Sequence, residues 1–173
     1  MRRISGFLVL LLHVFPVWAG ILDSPSDRAI AAVQEEAREQ HMPTDFFGIR
    51  WLTTKSDLLN ARRNAVAQGD DYYSEAVSYV GRNATIAYYV KTGNVLMYIV
   101  TFTDQSTEGS FQGAHKALDK SFGPMSAPKD EVDEYGKKRC SHRATSRFGI
   151  DHCVRVHGQT PVENIVFYRR KPG

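Results

Sequence analysis

Apolar positions change their spacing along this chain, and each change marks a different kind of element. Phe7–Leu12 is an unbroken apolar run that continues past His13 to Phe15. From Ser24 the spacing becomes helical. Ser24 is a cap residue, Pro25 takes the first helical position and Asp27 places an acid in the first turn. Ile30, Val33 and Ala37 then form a thin stripe on a helix predicted to reach about Gln40, before Pro43. Phe46–Leu52 is densely apolar. Thr54 with Asp57 reads as a capping box, opening a second helix through Leu58, Leu59, Ala61, Ala65 and Val66 to a glycine stop at Gly69.

At Tyr72 the period drops to two. Tyr72–Val80, Thr85–Val90 and Val95–Thr103 read as strands joined by turns at Gly81-Arg82-Asn83 and Lys91–Asn94, an antiparallel meander. Helical spacing returns over Ser110–Phe122, where Phe111, Ala114, Leu118 and Phe122 share a face and Gly123-Pro124 ends it. Residues 125–138 are polar and read as a loop or linking edge. Two or three strands follow: about Arg139–Ala144, Ile150–His157 and Val162–Arg169. This order predicts an α+β fold, an antiparallel sheet with helices mainly on one face. Phe47-Gly48-Ile49 is echoed by Phe148-Gly149-Ile150, too short an echo to establish a repeat.

The first residues change the picture of compartment. Arg2 and Arg3 precede the apolar run, and Pro16 and the small Ala19 follow it, the order of a secretory signal cut before Gly20. The run is about half of the roughly 20 residues a membrane span needs. The reading is therefore a signal at 1–19, a single domain at 20–173, no stable membrane anchor after processing, and a periplasmic or secreted location. Removing Arg2 and Arg3 leaves 22 − 2 = 20 basic against 19 acidic residues, which weakens any case for nucleic acid. Cys140 and Cys153 are expected to form a disulfide in an oxidising compartment, closing a loop that contributes roughly 3 kcal/mol.

Candidate chemistry is sparse. If Cys140 faces Cys153, then His142 opposes Asp151 on the same face while Ser141 opposes His152 on the other. His142 with Asp151 is half of a nucleophilic site, but the nearest hydroxyl points away, so the pair reads as a surface contact able to respond to pH. His115, His142, His152 and His157 lack the spacing of a metal motif, and no metal or cofactor is expected. The acids at Asp70-Asp71 and Asp130–Glu134 read as solvated charge, Arg169–Lys171 as a solvated tail, and Asn83-Ala84-Thr85 as a glycosylation acceptor.

The meander is more informative. Leu96, Tyr98, Val100 and Phe102 are assigned to the core, yet Val95, Met97 and Ile99 on the other side are apolar too, as are Ala87 and Tyr89 opposite Ile86, Tyr88 and Val90. A half-solvated sheet alternates apolar with polar. Something must cover this second face: the N-terminal helix, the C-terminal strands, or a partner. The expected function is a small exported binding or inhibitory module of the cell envelope, of the kind exemplified by immunity proteins and lysozyme-type inhibitors. It would meet another protein, or a second copy of itself, through Tyr89, Met97 and Ile99. Arg147 and Phe148, at the tip of the last cysteine hairpin, are the second candidate anchor. An accessory role in envelope assembly or secretion and an enzyme with a dispersed site are the alternatives.

Overall fold

A computed structural model describes residues 25–157 and 160–170. The signal at 1–19 and the Ser24 cap lie outside them. The elements run α1 (Pro25–Glu39), β1 (Asp45–Phe46), β2 (Ile49–Arg50), α2 (Lys55–Ala61), β3 (Val66–Ala67), β4 (Tyr72–Tyr79), β5 (Arg82–Lys91), β6 (Asn94–Phe102), α3 (Glu108–Phe122), β7 (Lys129–Asp133), β8 (Gly136–Ala144), β9 (Phe148–His157) and β10 (Thr160–Arg169). β1 and β2 form a small hairpin. The other strands make one eight-stranded sheet in the order β3-β4-β5-β6-β10-β9-β8-β7, antiparallel at each pairing. The α+β architecture expected from the periodicity is the one observed.

Register sorts the side chains. One transverse row runs Glu75–Ile86–Val100–Ile165–His152–Ser141 and the next Tyr73–Tyr88–Tyr98–Phe167–Ile150–Arg143. These rows face the helices. Val33 and Ala37 of α1, Leu58 of α2 and Ala114 and Leu118 of α3 join them in a single core. Aromatic contacts close it, with Trp51 on Phe148 (ring centroids 5.3 Å apart), Phe46 on Phe167 (4.3 Å) and Phe122 on Phe167 (5.7 Å). Tyr98 donates its hydroxyl to the Ile49 carbonyl at 3.0 Å, pinning the small hairpin to the sheet without leaving a buried polar atom unmet.

Local chemistry explains several boundaries. Thr54 accepts from the Asp57 amide, as the capping box predicts. α2 stops at Ala61, short of the expected Gly69, because Arg62 leaves helical geometry and sends its side chain to Glu75 and the Phe47 carbonyl. Residues 125–138, read as a loop or linking edge, hold the edge strand β7 and the start of β8. As an edge strand, β7 needs no apolar alternation to pair. In β6, Val95 rather than Leu96 enters the core. A bulge at Tyr89/Val90 shifts the register there, and Val95 exchanges backbone bonds with Leu52 and Thr53.

The two Phe-Gly-Ile echoes serve different purposes. Phe47 and Gly48, at φ 53° and 83°, make the left-handed turn between β1 and β2. Gly149 sits in a strand under Tyr168, where a Cβ would come within 2.3 Å of the ring.

Candidate functional site

The opposite face of the sheet is built from the alternate positions. One row runs Tyr72–Tyr89–Met97–Tyr168–Gly149, and the next runs Ser74–Ala87–Ile99–Val166–Asp151–His142. Tyr72 and Tyr89 lie side by side with ring centroids 4.9 Å apart. Tyr72, Tyr89, Met97, Ile99, Val166 and Tyr168 are all half-exposed, and none belongs to the core shared with the helices. The C-terminal strands extend this sheet edge to edge instead of lying across it. Tyr89, Met97 and Ile99 therefore do fall on one face, and the structure adds Tyr72, Val166 and Tyr168 to them. The added residues were recoverable from parity once β10 is placed beside β6.

The apolar rows end in charge. His142 Nδ1 is 2.8 Å from Asp151 Oδ1 and its Nε2 is 2.7 Å from Glu131 Oε1. The predicted register holds, since Cys140 pairs with Cys153, Ser141 with His152 and His142 with Asp151. Burial works against charge on His142, but the two carboxylates outweigh it and raise the imidazole pKa above its ordinary value. The bond from His142 holds Glu131 below the usual carboxylate range. Farther along the face, Asp133 pairs with Arg155, and Lys138 Nζ lies 3.4 Å from Glu131 and 3.5 Å from Asp133. Burial, then the Asp151 charge, raises the Tyr168 hydroxyl. The surface thus grades from aromatic and aliphatic at β4–β6 to a compensated lattice of ion pairs at β7–β9.

The disulfide between Cys140 and Cys153 is present. Glu131, Cys140 and His142 bring potential ligand atoms within 4.8 Å of one another, but the Cys140 sulfur is committed to the disulfide and each His142 nitrogen already faces a carboxylate. The group is a set of ion pairs and not a ligand cage.

The hairpin tip corrects the second candidate anchor. Phe148 is fully buried against Trp51, and Arg147 pairs with Glu36 of α1 while its amide donates to Gln40. The tip is fastened to the first helix because Thr145 and Arg147 supply the donors that Gln40 accepts. Its aromatic side chain is core and offers a partner nothing.

The inward face carries polar groups that sequence reasoning missed. Glu163, without solvent exposure, accepts from Arg82 Nη1 at 2.7 Å and Ser106 Oγ at 2.7 Å, and faces His152 Nε2 at 2.8 Å. Arg82 also bonds both Asp104 oxygens, and the Phe111 ring stacks on His152 at 4.2 Å. Ser141, as predicted, points away from His142, and its hydroxyl meets His115 Nδ1 at 3.1 Å. One signal was available, since Glu163 shares parity with Ile165 and Phe167. The network ties β5, the loop before α3, β9 and β10 together, which is a structural role.

No family model matches the chain, and neither does any curated protein. Among solved structures it is similar to a DUF4309 family protein, YjgB, from Bacillus subtilis, at 13% identity over 83% of this chain and 97% of that one, with a TM-score of 0.49. A likeness of that degree carries no argument about the site. Among the described residues no helix is long and apolar enough to cross a membrane.

Proposed function

We propose that the chain is an exported binding module that acts by presenting the open face of its sheet to another protein of the cell envelope. The observation that carries this reading is the contiguous row of Tyr72, Tyr89, Met97 and Tyr168 beside Ile99 and Val166, left half-exposed while the same strands' other side is sealed by helices. Tyrosine and methionine are the side chains that interfaces favour, combining large apolar area with a polar or adaptable end. The ion-pair lattice at β7–β9 supplies a rim, which sets orientation more than affinity. The disulfide and the signal-like first residues support action outside the cytoplasm.

Such a module serves as an inhibitor or immunity protein where its partner is a hydrolase or toxin, and as an accessory factor where the partner is a membrane complex. Photo-crosslinking in the native compartment tests the face. A benzophenone side chain placed at Tyr89, Met97 or Ile99 is expected to form an adduct with one protein, and Ile99→Lys in the same chain to abolish it. Adducts arising instead from Lys116 or Glu39 on the helical side, or from neither side, would sink the proposal. The identity of the adduct then separates inhibitor from accessory factor.

A further inference from the structure

Arginine collects where the last turn of α1 meets the tip of the β8–β9 hairpin and the end of β10. Arg147 and Arg169 share one carboxylate, Glu36, at 3.3 and 3.4 Å, and the Arg147 contact is out of line for a hydrogen bond. Arg143 and Arg170 have carbonyl oxygens for partners, that of Gln40 at 3.2 Å and that of Thr145 at 3.0 Å. The neighbouring acids of α1 lie elsewhere, since Glu35 is taken by Arg38 and Glu39 is exposed. Four guanidinium groups therefore gather at one carboxylate, a local charge of 4 − 1 = +3. The carbonyl end of α1 offsets only about half a unit of it.

Hydrogen-bond donors are in surplus there as well. Among the described residues five buried side-chain nitrogen or oxygen atoms lack a partner, and three of them are the Nε atoms of Arg143, Arg147 and Arg169. A buried donor is costly to leave unmet, and one that persists calls for an explanation, a bound ion among them. Other arginines of the sheet are met in full: Arg82 forks Asp104 and Arg155 forks Asp133. The shortage of acceptors belongs to this end of the molecule.

We infer that this end binds an oxyanion of the phosphate class, forked by Arg147 and Arg169 and flanked by Arg170. A guanidinium grips phosphate or carboxylate through two parallel N–H groups, and the edges that carry Nε stand idle here. Glu36 shows what one carboxylate achieves at this place, stretched between two arginines and satisfying neither. A phosphate group offers three acceptor oxygens, enough for two forks that share one of them. The site is reachable, because the Arg147 and Arg169 side chains keep 26% and 22% of their surface in solvent and Arg170 is exposed. Only the long contacts to Glu36 hold the two guanidinium groups, so turning toward an anion breaks no strong bond. The cluster shares no residue with the outward apolar rows and does not depend on the binding role proposed above.

Titration of the processed protein with inorganic phosphate, at constant ionic strength made up with chloride, tests the inference by NMR. The Nε–H signals of Arg147 and Arg169 are expected to shift saturably while those of Arg82 and Arg155 stay in place. In calorimetry, Arg147→Lys with Arg169→Lys keeps the charge but loses both forks. It should bind phosphate about ten- to a hundredfold more weakly, the equivalent of one charge-assisted bond. Glu36→Gln removes the competing carboxylate and should bind phosphate more tightly than wild type. Phosphate that moves all four signals alike, or none, would overturn the inference, as would a lysine pair that binds like wild type or a glutamine variant that binds no tighter. Cosedimentation then separates the two sources of such a group. Vesicles of phosphatidylglycerol in phosphatidylcholine that pellet wild type and leave the lysine pair in solution place it on a lipid head group, and vesicles that do not distinguish the two proteins place it on a soluble compound.

Discussion

Glu163 is a demanding residue to replace, a carboxylate without solvent exposure that meets three polar side chains. Glu163→Gln preserves the volume but offers one acceptor oxygen where the carboxylate served Arg82, Ser106 and His152, and it points an amide N–H at one of those donors. Losing a charge-assisted bond costs about 1.5–3 kcal/mol, and leaving a second buried donor unmet costs about 1–3 kcal/mol. Arg82 keeps its Asp104 partner, which limits the damage. The sum, about 2.5–6 kcal/mol, brackets the roughly 3–5 kcal/mol found when a buried ion pair loses one member. For a domain of roughly 150 residues, unfolding entropy near 2.1 cal/mol/K per residue converts this to a fall in Tm of about 8–19 °C.

The acid dependence gives a second reading of the same variant. Burial alone would raise the Glu163 carboxyl, but the bonds from His152, Arg82 and Ser106 hold it below the ordinary value. A depressed folded pKa contributes stability that is whole above the unfolded pKa, about 4.3, and is lost as pH falls through the folded value. Urea denaturation of both proteins at pH 7 and through a series into acid should therefore show a gap that is widest at neutrality and closes as the carboxylate protonates. A variant within about 1 kcal/mol of wild type at pH 7 would refute the reasoning, since each unmet buried donor alone costs at least that. A gap that grows in acid would refute it as well.

Three further outcomes follow from the geometry. The His142 ring should titrate above its ordinary pKa of about 6.5 in an NMR pH series. Its stabilising contribution is full below that pH and is lost as the pH rises through the folded value, and Asp151→Asn should lower the midpoint. Replacing Cys140 and Cys153 together by serine opens a loop of sequence separation 13 and should cost about 3 kcal/mol in denaturant melts. Phe148→Ala, in a fully buried site against Trp51, should cost about 3–5 kcal/mol by the same measurement. A melt unchanged from wild type would return Phe148 to the surface.

What was legible in the sequence is what local chemistry or an alternating pattern determines. Thr54 and Asp57 announce their cap, the meander shows its period, and the two cysteines fix the β8–β9 register down to His142 facing Asp151. The α1 stripe of Ile30, Val33 and Ala37, thin as it is, is buried. The failures are long-range. Arg62 gives up helix to reach Glu75, thirteen residues on. The choice between loop and linking edge for residues 125–138 is made only by the backbone pairing of β7 with β8. Phe148 looked like a tip residue because nothing nearby reveals that Trp51 waits for it. The outward row was half visible, since Tyr89, Met97 and Ile99 share a hairpin, whereas Val166 and Tyr168 arrive only with a strand more than sixty residues away.

The seam between β6 and β10 bears on how the molecule is assembled. Each half of the large sheet is made of neighbours in sequence, and among the described residues the halves pair with each other only through β10. α1 is tethered at Gln40 to Thr145, a separation of 105 residues. A chain delivered amino end first from a ribosome or a translocation channel thus carries Gln40 of the helix–sheet tether without Thr145, and its three-strand unit unpaired along β6, until the strands beyond α3 have emerged. Contacts spanning such separations form late and slowly. Joining the two halves of the sheet therefore waits on β10, so any factor that pauses delivery before that strand leaves the β6 edge of the meander unpaired.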